Sequence, residues 1–220
     1  QDSELSLVVS YRGPVVPQAI EDEGVQTGEG SDPSFESEPN LLLSNRSYWY
    51  PQSTVSDYAT ATVRITVPEG YTCVASGDPR RENEVTLRDL LTLTDGKAFV
   101  FTTREPLRYL ALVVSRFVRV AESTIEVTSR GEPLGQRPMR LAIEANPRQQ
   151  GLGRSLLGDF QAIMRFYADT LGDAPYESAT LALVEHELPG GHSPGYFAVL
   201  NSAPPGARAF WREDPAAFRG

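Results

Sequence analysis

The sequence predicts a mainly β protein whose C-terminal part is α+β. Apolar and polar residues alternate in residues 59–67, and further short apolar segments follow at the spacing of β-hairpins. In addition, one segment, residues 152–171, repeats its apolar residues at helical spacing. Together these patterns predict an antiparallel β-sandwich or saddle, followed by a lobe in which one long helix packs on strands.

The strands of the first part are predicted from short apolar segments bounded by turn residues. In residues 59–67 the alternation has period two, which means that one face of the strand is buried and the other is solvated. Pro68, Glu69 and Gly70 then turn the chain. Further strands are predicted at residues 5–11, 71–75, 85–93, 97–102 and 108–120. The polar residues 18–40 have no apolar periodicity, and we expect a long loop there.

The second part combines strands with the one predicted helix. Strands are expected at residues 124–128 and 139–145 around a turn at 131–136, and again at 180–185 and 196–200. The helix carries an apolar stripe that we expect to be core, formed by Leu152, Leu156, Phe160, Ile163, Met164, Tyr167 and Leu171. Gly172 follows at the position where a helix end favours a left-handed residue.

Composition excludes several classes of protein. Of 220 residues, 40% are hydrophobic, so the chain is globular, and its net charge of -9 makes nucleic acid an unsuitable partner. No apolar run approaches the roughly 18 residues that a membrane-spanning segment needs. Cys73 is the single cysteine, so no intrachain disulfide forms, and we expect its thiol to be buried and unreactive.

One segment resembles a zinc-binding motif without being one. Such a motif places two histidines four residues apart on a helix, so that both imidazoles share a face. Here His192 follows His186 by six residues, and Pro189 with two glycines prevents a helix between them. The chain has two histidines in all and no cysteine pair, and we therefore expect no metal site within it.

The glycine-rich loop between the last two predicted strands is the candidate binding site. It consists of Gly190, Gly191, His192, Ser193 and Pro194. Glycines there allow close backbone approach, so the loop is either an ordinary hairpin connection or a ledge along which a peptide pairs as an added strand. A serine hydrolase is not indicated, because the sequence contains no Gly-x-Ser-x-Gly motif.

Several short stretches, in order, resemble the membrane alanyl aminopeptidase family of gluzincin zinc metallopeptidases. The stretches lie at residues 46–51, 57–60, 67–71, 75–77, 108–117, 166–176, 180–185 and 190–194. They include Arg46-Ser47-Tyr48-Trp49-Tyr50-Pro51, which is similar to an Arg-x-x-Phe-Pro-like segment, and Pro175-Tyr176, which is similar to the step that opens the family's catalytic domain. Residues 190–194 fall where that family keeps its Gly-Ala-Met-Glu-Asn substrate loop.

The resemblance implies a two-part fragment. Residues 1–121 would be part of a β-rich N-terminal domain, and residues 122–220 would hold the opening strands and first long helix of a thermolysin-like catalytic domain. The family's zinc helix would follow this loop, so zinc is expected in the full-length parent and not in this chain. The parent would hydrolyse peptides, with this chain as scaffold and one wall of the cleft. Ser193 stands where the family has a Glu that holds the substrate's free amine, which puts strict aminopeptidase specificity in doubt.

The sequence leaves a second interpretation of function open. The chain could instead be a non-catalytic, peptidase-like binding or assembly module.

The last predicted strand carries an apolar row, formed by Tyr196, Phe197, Val199 and Leu200. We expect this edge to be exposed and to associate with a second copy of the chain.

The first residue is Gln1 and not Met, from which we expect a cut start. This start would fit an extracytoplasmic bacterial location, but the compartment stays unknown.

Overall fold

The computed structural model describes residues 5–19, 21–22, 36–52, 58–80, 96–130, 135–186, 190–203 and 205. Within these residues the protein is mainly β, with three sheets and one long helix, which confirms the predicted fold class. None of the helices in the described ranges has the length and apolarity to cross a bilayer.

Two antiparallel three-stranded sheets form the first part. One is ordered β2-β7-β4 and contains β2 (Asn40–Leu43), β7 (Leu112–Ser115) and β4 (Thr72–Ala75). The other is ordered β3-β6-β5 and contains β3 (Thr62–Val67), β6 (Lys97–Thr102) and β5 (Asp78–Pro79). We refer to them as the inner sheet and the outer sheet.

A mixed six-stranded sheet forms the second part. Its order is β1 (Glu21–Asp22), β11 (Gly190–His192), β12 (Phe197–Ser202), β10 (Ser178–Glu185), β9 (Gly135–Ala145) and β8 (Val118–Ser129). β10 runs parallel to both β9 and β12, and the other pairs are antiparallel. Since parallel neighbours need a crossover, β9 reaches β10 through α1 (Gln150–Ser155) and α2 (Leu157–Leu171).

Alternation along the strands of the six-stranded sheet produces two apolar faces. On β10, Leu181 and Leu183 contact the helices, while Ala182 and Val184 pack in one cluster with Val113 of the inner sheet. The layers therefore run from helices to six-stranded sheet to inner sheet. Each fully buried large side chain in these layers stabilises the fold by roughly 1.5–3 kcal/mol.

The inner and outer sheets enclose a second core. Cys73 and Leu112 pack there with Val67 and Phe101 of the outer sheet. The thiol of Cys73 is 4% exposed, and burial raises its pKa, so the prediction of a buried, unreactive cysteine is confirmed.

The predicted helix is present, but its buried face lies beside the predicted stripe. Phe160 and Met164 pack on the sheet as expected, and Gly172 ends α2 with a φ of 71°. The stripe was wrong in including Ile163, Tyr167 and Leu171, which are 51%, 55% and 63% exposed. The small side chain of Ala168, which is 2% exposed, takes the contact position on the last turns and lets the helix lie close to the sheet.

The strand predictions have mixed outcomes. Those at residues 71–75 and 97–102 are confirmed within one residue by β4 and β6. The strand at residues 5–11 is wrong, because this segment forms no strand and its apolar side chains are exposed. Residues 108–120 contain β7 and the start of β8 with a break between them, and residues 85–93 lie outside the described residues.

Candidate functional site

The predicted loop contains a strand that lies inside the sheet. In β11, Gly191 pairs with Leu200 of β12 on one side and with Glu21 of β1 on the other. Gly190 likewise pairs with Asn201 and Asp22. The expected loop at residues 18–40 therefore contributes a short strand, and the chain's own backbone pairs along the outer edge of β11 in antiparallel orientation.

Gly191 is required by the close approach of β12. A Cβ at this position would lie 2.7 Å from the carbonyl oxygen of Val199, which is shorter than real contacts allow. Gly190, Gly191 and His192 are half-buried, Ser193 is exposed and Pro194 is buried. The backbone of β11, residues 190–192, thus forms a narrow strip, which we call the β11 strip, and Ser193 follows directly after it.

Tyr196 fixes the turn that follows this strip. It has a φ of 76°, a left-handed conformation that is costly for a bulky residue. Its carbonyl accepts a 3.0 Å hydrogen bond from the amide of Thr180, and its hydroxyl accepts one of 3.1 Å from the amide of Arg104. Its ring lies 4.2 Å from that of Tyr176, and burial raises the pKa of both phenols. These contacts hold the strained turn in one conformation.

A buried carboxylate lies at the carboxyl end of β10. Glu185 is fully buried, and its side chain accepts two hydrogen bonds from Arg148, the one from Nε to Oε1 being 2.9 Å long. Its Oε2 also accepts a 3.1 Å bond from the amide of Glu38. The Glu185 carboxylate raises the pKa of Arg148. Buried charges persist only when they are paired and hydrogen-bonded, as this one is.

The polar network continues across the strand ends. Asn146 accepts a 3.0 Å bond from the amide of Glu185 and donates one of 2.8 Å to Ser115 of the inner sheet. Gln149 donates a 2.7 Å bond to the carbonyl of Ser202. The network joins β9, β10 and β12 at their carboxyl ends, beside the strip formed by β11. These hydrogen bonds contain no nucleophile paired with a base.

The two histidines do not form a metal centre with described residues. His186 follows the end of β10 and His192 ends β11. Over the part of the chain that the structure describes, no group of three or more His, Cys, Asp or Glu side chains is arranged to hold a metal ion. The described residues therefore do not fit a zinc ion.

The apolar row is not exposed as expected. Tyr196, Phe197 and Val199 are 4%, 3% and 0% exposed, and β12 is paired on both sides. Leu200 alone of the row is exposed, at 38%. The prediction that this edge is exposed is therefore wrong, because the chain itself covers it, and association with a second copy through it is not supported. The sequence offered no sign of the β1–β11 pairing, since two residues in a polar stretch carry no strand pattern.

Comparison with known proteins adds a likeness of fold. No model of a protein family matches the sequence, and no curated protein matches it. Among solved structures, an M1 zinc metallopeptidase from Deinococcus radiodurans is similar over 71% of this chain, with 21% identity and a TM-score of 0.48. A two-domain M1 zinc metallopeptidase mutant bound to L-arginine is similar over 83% of the chain, with 20% identity and a TM-score of 0.49.

Both solved proteins are much longer than this chain. The chain spans 33% and 40% of the length of those two solved proteins. At this identity and TM-score, neither their activity nor the ligand of the second is transferred to this chain.

Proposed function

We propose that this chain supplies scaffold and one wall of the peptide-binding cleft of a zinc-dependent, aminopeptidase-like metallopeptidase of the gluzincin type. The observation that carries the proposal is the antiparallel pairing of β11 with the extended residues Glu21 and Asp22. An edge that accepts one extended backbone has the geometry to accept another of the same direction. By itself the chain is not catalytic on this proposal.

The strip binds a peptide through main-chain hydrogen bonds. Gly191 lets β12 approach β11 closely, and β12 pairs with all three residues of β11 and holds it in place. A substrate segment must displace β1, which offers two residues of pairing. A peptide that pairs along all three residues of β11 would form one pair more than β1 does.

Ser193 decides how the amino end of the substrate is held. Its exposed hydroxyl lies at the end of the strip, where a carboxylate would balance an ammonium group. A neutral hydroxyl does not supply that charge. The strip therefore recognises an extended backbone and does not select a free amino terminus.

Zinc and the general base belong to the full-length parent on this proposal. The division into an N-terminal β domain, residues 1–121, and a catalytic lobe, residues 122–220, falls within β8. β8 runs from Val118 to Ser129 in the six-stranded sheet, and it begins shortly after Ser115, the last residue of β7 in the inner sheet. Its continuity would fix the two parts relative to each other.

The second candidate is a non-catalytic peptidase-like module for binding or assembly. Two observations favour it: Ser193 replaces the expected Glu, and the chain's own residues cover the β11 edge. In such a module the edge would be closed permanently.

The test compares this 220-residue chain with the complete natural gene product. Both are incubated with fluorogenic peptides, with and without added zinc. We expect zinc-dependent hydrolysis by the complete product and none by the chain. A complete product that takes up zinc at no defined stoichiometry and hydrolyses none of the peptides would contradict the peptidase proposal and support the module.

A further inference from the structure

A cleft lies between the outer sheet and the six-stranded sheet, away from the β11 strip. It has two neighbouring compartments of about 730 Å³ and about 510 Å³. Arg80 of the outer-sheet side and Arg140 of β9 line both compartments. These volumes fall within the range of small-molecule sites in proteins.

The sequence places polar groups on this face of the six-stranded sheet by alternation. Along β9, Met139, Leu141 and Ile143 pack towards the helices, so Arg140 and Glu144 point to the cleft. The same alternation on β10 brings Ser178, the register partner of Arg140, to the cleft. These residues of the six-stranded sheet form the floor of the cleft, and Thr72 of the inner sheet borders it.

Most charges in the cleft have partners. Arg119 pairs with Glu144, with Nε 2.8 Å from Oε1, and Arg104 pairs with Glu177. The guanidinium groups of Arg80 and Arg140, in contrast, form no hydrogen bond or ion pair with the residues that the structure describes. In a chain of net charge -9, the cationic side chains that line the larger compartment outnumber its two carboxylates, Glu122 and Glu144, which leaves this cleft locally cationic.

Asp78 brings a buried hydrogen-bond acceptor without a partner to the smaller compartment. It is 8% exposed and lines the smaller compartment with Arg80 and Arg140. Its Oδ1 accepts a 2.6 Å hydrogen bond from the hydroxyl of Ser178, while its buried Oδ2 has no hydrogen-bond partner. Buried polar atoms are nearly always satisfied, so an acceptor left open beside a cavity indicates a donor from a bound molecule.

We infer that this cleft binds a small carboxylate that carries a hydroxyl or amino group next to its carboxyl group and an apolar body. The planar carboxylate matches the guanidinium forks of Arg80 and Arg140, and the adjacent donor reaches Oδ2 of Asp78. The apolar body lies in the larger compartment, against Ala98, Val100 and Ala142. The inference does not depend on the proposed peptidase function.

The test is calorimetric titration of the 220-residue chain with three matched probes. These are 2-hydroxy-4-methylpentanoate, 4-methylpentanoate, which lacks the hydroxyl, and 4-methylpentanamide, which lacks the charge. We expect the hydroxy acid to bind about tenfold more tightly than the simple acid, which corresponds to one satisfied hydrogen bond. The amide should bind more weakly than both.

Two variants locate the site. Arg140→Gln should weaken binding of the hydroxy acid by tenfold or more, whereas Arg165→Gln, with the same charge change on exposed α2, should leave it unchanged. The melting temperatures of both variants show whether they fold. No heat with any probe at millimolar concentration, or equal affinity of the wild type and a folded Arg140→Gln for the hydroxy acid, would overturn the inference.

Discussion

Two glycines of the helical segment should respond in opposite directions to the same substitution. Gly153 of α1 faces the six-stranded sheet, and a Cβ there would lie 2.7 Å from Cγ2 of Val120 and 3.3 Å from Cδ1 of Leu183. Gly158 of α2 has no atom within 4 Å of its Cβ position. Alanine at either site gains about 0.5–1 kcal/mol of helix stability relative to glycine.

The size of the stability change depends on whether Val120 can move away from a new Cβ at position 153. Val120 is β-branched and stiff at χ1, so it cannot turn away without a shift of β8. Overpacking of this kind costs about 1–3 kcal/mol. We therefore expect Gly153→Ala to lower the free energy of unfolding by about 1–2 kcal/mol, and Gly158→Ala to raise it by about 0.5–1 kcal/mol.

Urea denaturation measures both variants. The midpoints should move in opposite directions while the slope of the transition stays constant, as expected for a change in stability alone. Equal shifts of both midpoints in the same direction would refute the placement of α1 against β8 and β10.

Three further predictions concern the core, the buried ion pair and pH. Phe160→Ala should lower the free energy of unfolding by about 3 kcal/mol, because Phe160 packs in two hydrophobic clusters. Phe166→Ala, at a site that is 62% exposed, should change it by less than about 0.5 kcal/mol. Equal losses in the two variants would contradict the assigned buried face of the helix. Arg148→Met should lower the free energy of unfolding by leaving the buried Glu185 carboxylate unpaired, and adding Glu185→Gln should recover part of the loss in the same denaturation assay. An unchanged stability of Arg148→Met would contradict the buried pair. Burial raises the pKa of Asp78 above its ordinary value of 3.8. The stabilising contribution of the protonated side chain is therefore complete below pH 3.8 and is lost as the pH rises through the folded-state pKa. The free energy of unfolding of the wild type, relative to that of Asp78→Asn, should fall over this pH range, and a rise would contradict the prediction.

Local patterns in the sequence predicted local structure well. Alternation at residues 59–67 predicted β3, and Gly172 marked the end of α2. The mainly β class with an α+β C-terminal part followed from these periods. In each case the signal lies in residues that are close in the chain.

Pairing between distant segments could not be predicted in this way. The pattern at residues 5–11 resembles a strand, yet the described chain provides it no neighbouring strand. Glu21 and Asp22, in contrast, lack any strand pattern and pair with β11 across the fold. The apolar row from Tyr196 to Leu200 was correctly predicted to be a strand, but sequence alone could not show that it is internal.

At the candidate site, the sequence indicated the glycines but not the residues around them, and the binding role of residues 190–194 stays a prediction. The glycines of β11 were identified from their flexibility, and the structure gives Gly191 a steric reason. The Glu185–Arg148 pair was missed, although a charged residue that ends the apolar run of β10 is a usable signal for a buried pair at the carboxyl end of a parallel strand. The polar alternation of Arg140 and Glu144 on β9 was a signal of the same kind for the cleft.

Amide hydrogen exchange of β11 tests the central claim, that its outer edge accepts an extended peptide, most directly. Replacing Glu21 and Asp22 by proline removes the amide donors of β1 and disrupts its pairing with β11. The β11 amides that point towards β1 should then exchange faster than in the wild type, whereas those that point towards β12 should not. Adding an excess of a soluble extended peptide should restore the protection of the former, and the same peptide N-methylated at alternate residues should not. Failure of the unmethylated peptide to slow exchange, or equal protection by both peptides, would contradict the account.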